Sequence, residues 1–166
     1  MNDGWLRPPW TFRLALLAGT DEGRPSPHEH AKDTEMECSI DHLGIAVRSL
    51  ASAKEIYEKL GLSVSREETV EQEQVKVVMV PVGESRLELL EATSENSTIA
   101  KFIAKRGEGL HHVCLRVADL VAAVERLKKD GIRLVSEEIK TGAGGHRYVF
   151  VHPSSTGGVL LELVQG

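Results

Sequence analysis

The sequence predicts an α+β fold of two paired βαβββ modules whose curved mixed sheets surround a central cleft, and three observations predict it. A pattern of one strand, one helix and three further strands is written twice after residue 39. The two copies lie over one another without a gap: Ile40–Val64 matches Leu110–Leu134 at an offset of 70, with identities that include His42/His112, Val47/Val117, Leu50/Leu120, Ala53/Ala123, Glu55/Glu125 and Gly61/Gly131. The composition, 41% hydrophobic and 27% charged over 166 residues, is that of a globular chain with a buried core, which sets aside wholesale disorder and fibrous architectures.

Residues 1–38 stand apart. Pro8, Pro9, Pro25 and Pro27, with a His28-Glu29-His30 run, interrupt any apolar period, so this stretch is expected to be a mobile N-terminal extension, with Met36 offering a start just ahead of the first strand. The domain proper is expected over 39–166: module one at 39–95, a connecting helix at about 96–107 and module two at 108–166. Strands are predicted at Ile40–Arg48 and Leu110–Val117, each leading into a helix with Ser49 or Asp119 as N-cap and Gly61 or Gly131 after its last turn. Three strands follow each helix: Leu62–Thr69, Val75–Val82 and Arg86–Glu91, then Ile132–Ile139, Arg147–His152 and Val159–Val164. The TGAGG stretch lacks the strand-to-helix setting of a nucleotide fingerprint and is read as a flexible connection over the cleft.

A net charge of −5 creates no global field for nucleic acid or acidic membranes, so neither is expected as a partner. Cys38 and Cys114 form no close pair, which excludes a disulfide framework and a cysteine-rich zinc site and favours a reducing compartment. The apolar run Leu14–Gly19 is far short of the roughly 20 residues that cross a bilayer. Asp3, Asp21, Glu22 and Glu29 argue against a transit peptide, leaving a cytoplasmic location as the expectation.

Strand alternation sends successive side chains to opposite faces. With Leu43, Ile45 and Val47 under the first helix, His42 faces the cleft; with Val113, Leu115 and Val117 under the second, so does His112. Glu88 between Leu87 and Leu89, and Glu162 between Leu161 and Leu163, have the same parity. His42 corresponds to His112 and Glu88 to Glu162, so a pseudo-twofold would gather two imidazoles and two carboxylates. That set suits a divalent ion such as Co2+, Zn2+, Mn2+ or Ni2+. Without a cation, four buried polar groups would be costly.

The IDHLGIAV opening, the GLHH at Gly109–His112 and the GGVLLEL ending resemble the vicinal-oxygen-chelate (glyoxalase/bleomycin-resistance/dioxygenase) superfamily. Within it, STIAKFIAKRGEGLHH (Ser97–His112) and HPSSTGGVLLELVQ (His152–Gln165) resemble the methylmalonyl-CoA epimerases. The resemblance implies metal ligands at His42, Glu88, His112 and Glu162, with Glu88 where some members have Gln. It further implies one divalent ion per chain, Co2+ foremost with Zn2+, Mn2+, Ni2+ or Mg2+ as alternatives, a homodimer, and methylmalonyl-CoA as substrate. The implied reaction is epimerisation of the (2R) and (2S) forms through an enolate, with Glu162 as both ligand and one base.

Such chemistry needs a Lewis acid on the thioester carbonyl and a base on each face of the planar enolate. For the second base, alignment from Pro81 backwards points to Lys76, with Glu73 or an ordered water as substitutes; the outcome turns on whether the turn at Gly83-Glu84 holds two or four residues. The alternative function is that of a glyoxalase I-type lactoylglutathione lyase, which uses a similar His/Glu/His/Glu set. A metal-free sequestering protein is disfavoured by retention of all four groups. His111 and His146, beside glycine-rich turns, read as exposed, and Cys114 as a small core residue. Lys101, Lys105, Arg106 and Arg147 could meet coenzyme A phosphates, although Lys101 and Lys105 also have the spacing of a solvated helix face.

Overall fold

Alternation along the chain ahead of Arg48 yields β1 (Cys38–Val47), and the following Ser49 turns it into a helix by accepting from the Ser52 amide. This structure, a computed structural model, describes residues 36–142 and 145–166. The expected extension therefore lies outside the described residues as far as 35, as do Ala143 and Gly144 of the TGAGG connection. After β1 come α1 (Leu50–Ala53), α2 (Glu55–Lys59), β2 (Glu68–Val70), β3 (Val75–Val82) and β4 (Ser85–Ala92). The connecting helix α3 (Thr98–Arg106), capped by Ser97, leads to β5 (Gly109–Val117), α4 (Leu120–Lys129), β6 (Lys140–Thr141), β7 (Arg147–Val151) and β8 (Leu160–Gln165).

The repeat is explicit in the packing. Asp119 caps α4 as Ser49 caps α1. Gly61 and Gly131 take positive φ (79° and 70°), the left-handed conformation in which a Cβ is disfavoured. The Leu50 amide donates to Glu91 at 2.6 Å, and the Leu120 amide donates to Gln165 at 3.0 Å, so each last strand steadies the start of its module's helix. Leu50 and Leu120 are buried under these contacts; full burial of a leucine side chain contributes about 1.5–3 kcal/mol.

The two modules merge into one curled eight-stranded sheet, in the order β2-β3-β4-β1-β5-β8-β7-β6. The junction is the antiparallel pair β1/β5, and β4 and β8 flank it in parallel with β1 and β5 respectively. One face carries a core for each module: Val47, Leu50, Val78, Val80 and Leu89 in the first, and Val117, Leu120, Val124, Val149, Val151 and Leu163 in the second. A third cluster lies on the opposite face, where Ile99 and Ile103 of α3 cover Ala46, Val75, Val77 and Leu90.

Two expected strands are mostly not formed. Of Leu62–Thr69 only Glu68 and Thr69 pair, and Ile132–Ile139 contributes a lone bridge, Leu134 with Val151. Both segments run along sheet edges, and they spend their apolar residues (Leu62, Val64, Ile132, Leu134 and Ile139) on packing against the module cores. The β3–β4 turn holds two residues, since Val82 pairs with Ser85. Gly83 alone of that pair has positive φ (59°), the geometry of a type II′ hairpin.

Candidate metal and proton-transfer site

The four central strands each deliver one polar group to the same face. Two rows cross β4, β1, β5 and β8: Arg86, His42, Cys114, Glu162 and, next to it, Glu88, Gly44, His112, Leu160. His42 Nε2 and His112 Nε2 are 3.0 Å apart. Glu162 Oε2 lies 3.4 Å from the first and 3.2 Å from the second, and Glu88 Oε2 lies 3.5 Å from each. The structure thus brings together all four residues read from strand parity.

These separations fit a divalent cation. Donors about 2.1 Å from a common ion stand about 3.0 Å apart at right angles and about 3.4 Å apart at a tetrahedral angle. Both histidines are buried, and two ring nitrogens at 3.0 Å with converging carboxylates form an arrangement that a central positive charge relieves. His42, His112 and Glu162 form the tight group, to which Glu88 adds a fourth oxygen. A second grouping of potential donors, Asp41, His42 and Cys114, is unsuited to a cation: two arginines already occupy Asp41, and burial pushes the Cys114 thiol up, away from the ligating thiolate.

The cluster is strongly polarised. Burial alone would lower the pKa of His42, but the hydrogen bond to Glu162, the charge of Glu88 and the hydrogen bond to Asp41 outweigh it and raise it to about 9. Burial would raise Glu162, yet hydrogen bonds from His112 and His42 hold it at about 2. Glu88 is raised, chiefly by burial.

Gly44 sits among the converging side chains for a steric reason. The imidazole of His112 leans over it so closely that a Cβ at this position would lie 2.6 Å from Nε2 and nearer still to Cε1 and Nδ1. The far side of the His112 ring meets Phe150 edge-on, with centroids 5.7 Å apart.

Lys76 does not reach this face. It pairs with Glu91 across β3/β4, whereas Met79 pairs with Glu88, and residues three apart on a strand point to opposite sides. Glu91 is the residue that meets the amide of Leu50, so Lys76 belongs to the helix side. The two-residue turn at Gly83-Glu84 decides this register and corrects the assignment of Lys76 to the cleft. Glu73 faces the other way. It ends a 3-10 turn, Glu71–Glu73, after which Gln74 takes a left-handed conformation (φ 54°). Its carboxylate accepts from the Tyr148 hydroxyl of the other module at 2.6 Å. Tyr148 shares the face of Phe150, the partner of Glu162 on β8, and stacks edge-on against Phe150. Burial first, and then the bond to Glu73, push the Tyr148 hydroxyl up, so it stays a donor.

Strand alternation missed Asp41 and His111. Asp41 is buried and bonds to His42 Nδ1 at 2.9 Å; Arg86 and Arg116 also donate to it, the latter through Nε at 2.8 Å. Burial works upward on its pKa, but these three partners hold it well below the usual carboxylate range. His111, expected to be exposed, is half-buried, with its Nδ1 2.9 Å from His112 Nδ1 and its ring edge-on to Phe102. Burial lowers its pKa to about 4, so it is neutral. His146, Lys101, Lys105, Arg106 and Arg147 are exposed, and Cys114 is fully buried.

The chain is similar to known proteins. Residues 41–150 match the Glyoxalase/Bleomycin resistance protein/Dioxygenase superfamily. The mitochondrial methylmalonyl-CoA epimerase of Homo sapiens is 42% identical over 128 residues, which cover 76% of this chain and 73% of the human protein. The crystal structure of methylmalonyl-CoA epimerase from Mycobacterium tuberculosis superposes with a TM-score of 0.72 at 39% identity, covering 76% of this chain and 86% of that one. A methylmalonyl-CoA epimerase solved in complex with methylmalonyl-CoA and NH4+ superposes equally well, with a TM-score of 0.72 at 37% identity over 76% of this chain and 93% of that one.

Proposed function

Because this chain belongs to the glyoxalase/bleomycin resistance protein/dioxygenase superfamily and, within it, to the methylmalonyl-CoA epimerase family, we propose that it interconverts (2R)- and (2S)-methylmalonyl-CoA by proton transfer at C2 through an enolate. The observation that carries the reading is the convergence of both imidazole Nε2 atoms and two carboxylates on one face of a chain so close to known epimerases. A divalent ion held by His42, Glu88, His112 and Glu162 would supply Lewis acidity to the thioester oxygen that gains charge as C2 loses its proton. We assign Co2+ first, with Zn2+, Mn2+, Ni2+ and Mg2+ as alternatives.

Glu162, ionised at neutral pH, is the proton acceptor on one face of C2. Glu73 is the acid/base on the other face, in place of Lys76. It comes from the opposite module, and the Tyr148 hydroxyl both orients its carboxylate and leaves one oxygen for the substrate proton. The phenol, phenyl and apolar side chains around it, Tyr148, Phe150 and Leu160, would exclude water from the enolate. The working unit is proposed to be a homodimer in a reducing, cytoplasmic setting, consistent with two free cysteines; among the described residues no helix is long and apolar enough to cross a membrane. None of these relatives favours the glyoxalase I-type alternative.

The test is proton NMR of methylmalonyl-CoA in D2O with metal-loaded protein. Loss of the C2 hydrogen signal together with interconversion of the epimers is expected. A C2 hydrogen that persists while the glutathione–methylglyoxal adduct turns over would overturn the assignment.

A further inference from the structure

The β1/β5 junction contains two irregularities. Ile40 pairs with Leu115 and His42 with Cys114, so Asp41 is an extra residue on β1; Gly44 pairs with His112 and Ile45 with Leu110, so His111 is an extra residue on β5. Asp41 and His111 are separated by the same offset of 70 that relates the two modules. A bulge keeps two consecutive side chains near one face, where regular alternation would send them apart. Each bulged residue accordingly touches the ring nitrogen of the adjacent histidine that points away from the ligand cluster: Asp41 Oδ1 at 2.9 Å from His42 Nδ1, and His111 Nδ1 at 2.9 Å from His112 Nδ1.

We propose that Asp41 and His111 are a pseudo-symmetric pair of positioning residues, each accepting a hydrogen bond from Nδ1–H of its neighbour and thereby fixing both metal-binding histidines in the tautomer whose Nε2 lone pair faces the cation. The inference rests on the metal reading above and deepens it. The chemistry follows from the inventory of each group. Asp41, ion-paired with Arg86 and Arg116, can only accept, so Nδ1 of His42 must carry the proton. For His112 to present a lone pair at Nε2, its own Nδ1 must donate, which obliges His111 to accept at Nδ1 and to carry its proton on Nε2. Histidine thus does in module two what aspartate does in module one.

The surroundings differ to match. Arg86 and Arg116 pair with Asp41 beside the cation site, whereas His111 meets the ring of Phe102 with centroids 5.0 Å apart. Partners of this kind typically change metal affinity by about 10–100-fold.

The experiment measures Co2+ and Zn2+ affinity by competition with a chromophoric chelator, together with the visible spectrum of the Co2+ form, for the wild-type protein and for His111→Phe, His111→Asn, Asp41→Ala and Asp41→Asn. His111→Phe keeps the packing and removes the acceptor, and a fall in affinity of about 10–100-fold is expected. His111→Asn offers a carbonyl near the lost Nδ1 and should restore most of it; Asp41→Asn should likewise retain more than Asp41→Ala. In the Zn2+-loaded wild type, long-range proton–nitrogen NMR should show His111 protonated at Nε2 and His42 and His112 protonated at Nδ1. His111 protonated at Nδ1, or His111→Phe binding metal as tightly as the wild type, would overturn the proposal. Failure of the wild-type protein to bind either ion would instead overturn the metal reading beneath it.

Discussion

Replacing Gly44 with alanine adds a single methyl group, and its consequences can be worked from the geometry of one imidazole. The new Cβ would lie 2.6 Å from Nε2 of His112 and nearer still to its Cε1, whereas ordinary contact begins near 3.4 Å, so the ring has to retreat by about an ångström. It has little room for that: His111 holds its Nδ1 at 2.9 Å, and Phe150 closes the far side with ring centroids at 5.7 Å. A misplacement of this size at a reacting centre costs up to about 100-fold in rate, and overpacking costs about 1–3 kcal/mol of stability. The pseudo-equivalent residue is Cys114, which already carries a Cβ in the row of His42, so Cys114→Ala serves as a control that should leave metal affinity nearly unchanged. Gly44→Ala is expected to fold, by circular dichroism, with a lower Tm, to bind Co2+ more weakly in a chelator competition, and to epimerise about 100-fold more slowly. A folded Gly44→Ala protein whose metal affinity and kcat/KM both stay within about twofold of wild type would refute the claim that this glycine exists to seat His112.

Further expectations concern the acid–base groups. Glu162→Gln should lower kcat by about 100- to 10,000-fold, the usual contribution of a general base, in a turnover assay run from both epimers. Glu73→Gln should abolish most epimerisation while one epimer still exchanges its C2 hydrogen with D2O through Glu162; Lys76→Met should behave as wild type, and the reverse pattern would return the second base to Lys76. Because Glu162, Glu88 and Asp41 raise the pKa of His42 to about 9, a cation binding there at pH 7 is expected to displace its proton, so apparent metal affinity should rise by about tenfold per pH unit and level off near pH 9. The same raised value links to folding: without a bound cation the protein gains stability from His42 that is fully present below the ordinary imidazole value of about 6.5 and lost as pH rises through about 9. Differential scanning calorimetry of the chelated protein between pH 6 and pH 10 should therefore show a falling Tm from this group, with the metal-loaded form much flatter.

What the sequence by itself determined is what one-dimensional periodicity can carry. The offset of 70 revealed two modules, period-two alternation turned His42, Glu88, His112 and Glu162 to one face, and Ser49, Asp119, Gly61 and Gly131 marked the helix ends, because each of these signals is local to a strand or a helix. The tertiary structure decided whatever depends on how two distant segments pair. Lys76 left the cleft because the Gly83-Glu84 hairpin is tight and sets the β3/β4 register, and a single-residue slip would have exchanged its face. Glu73 meets the hydroxyl of Tyr148, 75 residues away, just before a left-handed Gln74, a contact that leaves no trace in the periodicity of either segment. The segments 62–67 and 132–139 look like strands but lie along edges, where packing against the module cores replaced most ladder bonds. Asp41 and His111 escaped alternation altogether, since a bulge exists only in the pairing of β1 with β5 and leaves no periodic trace on either strand.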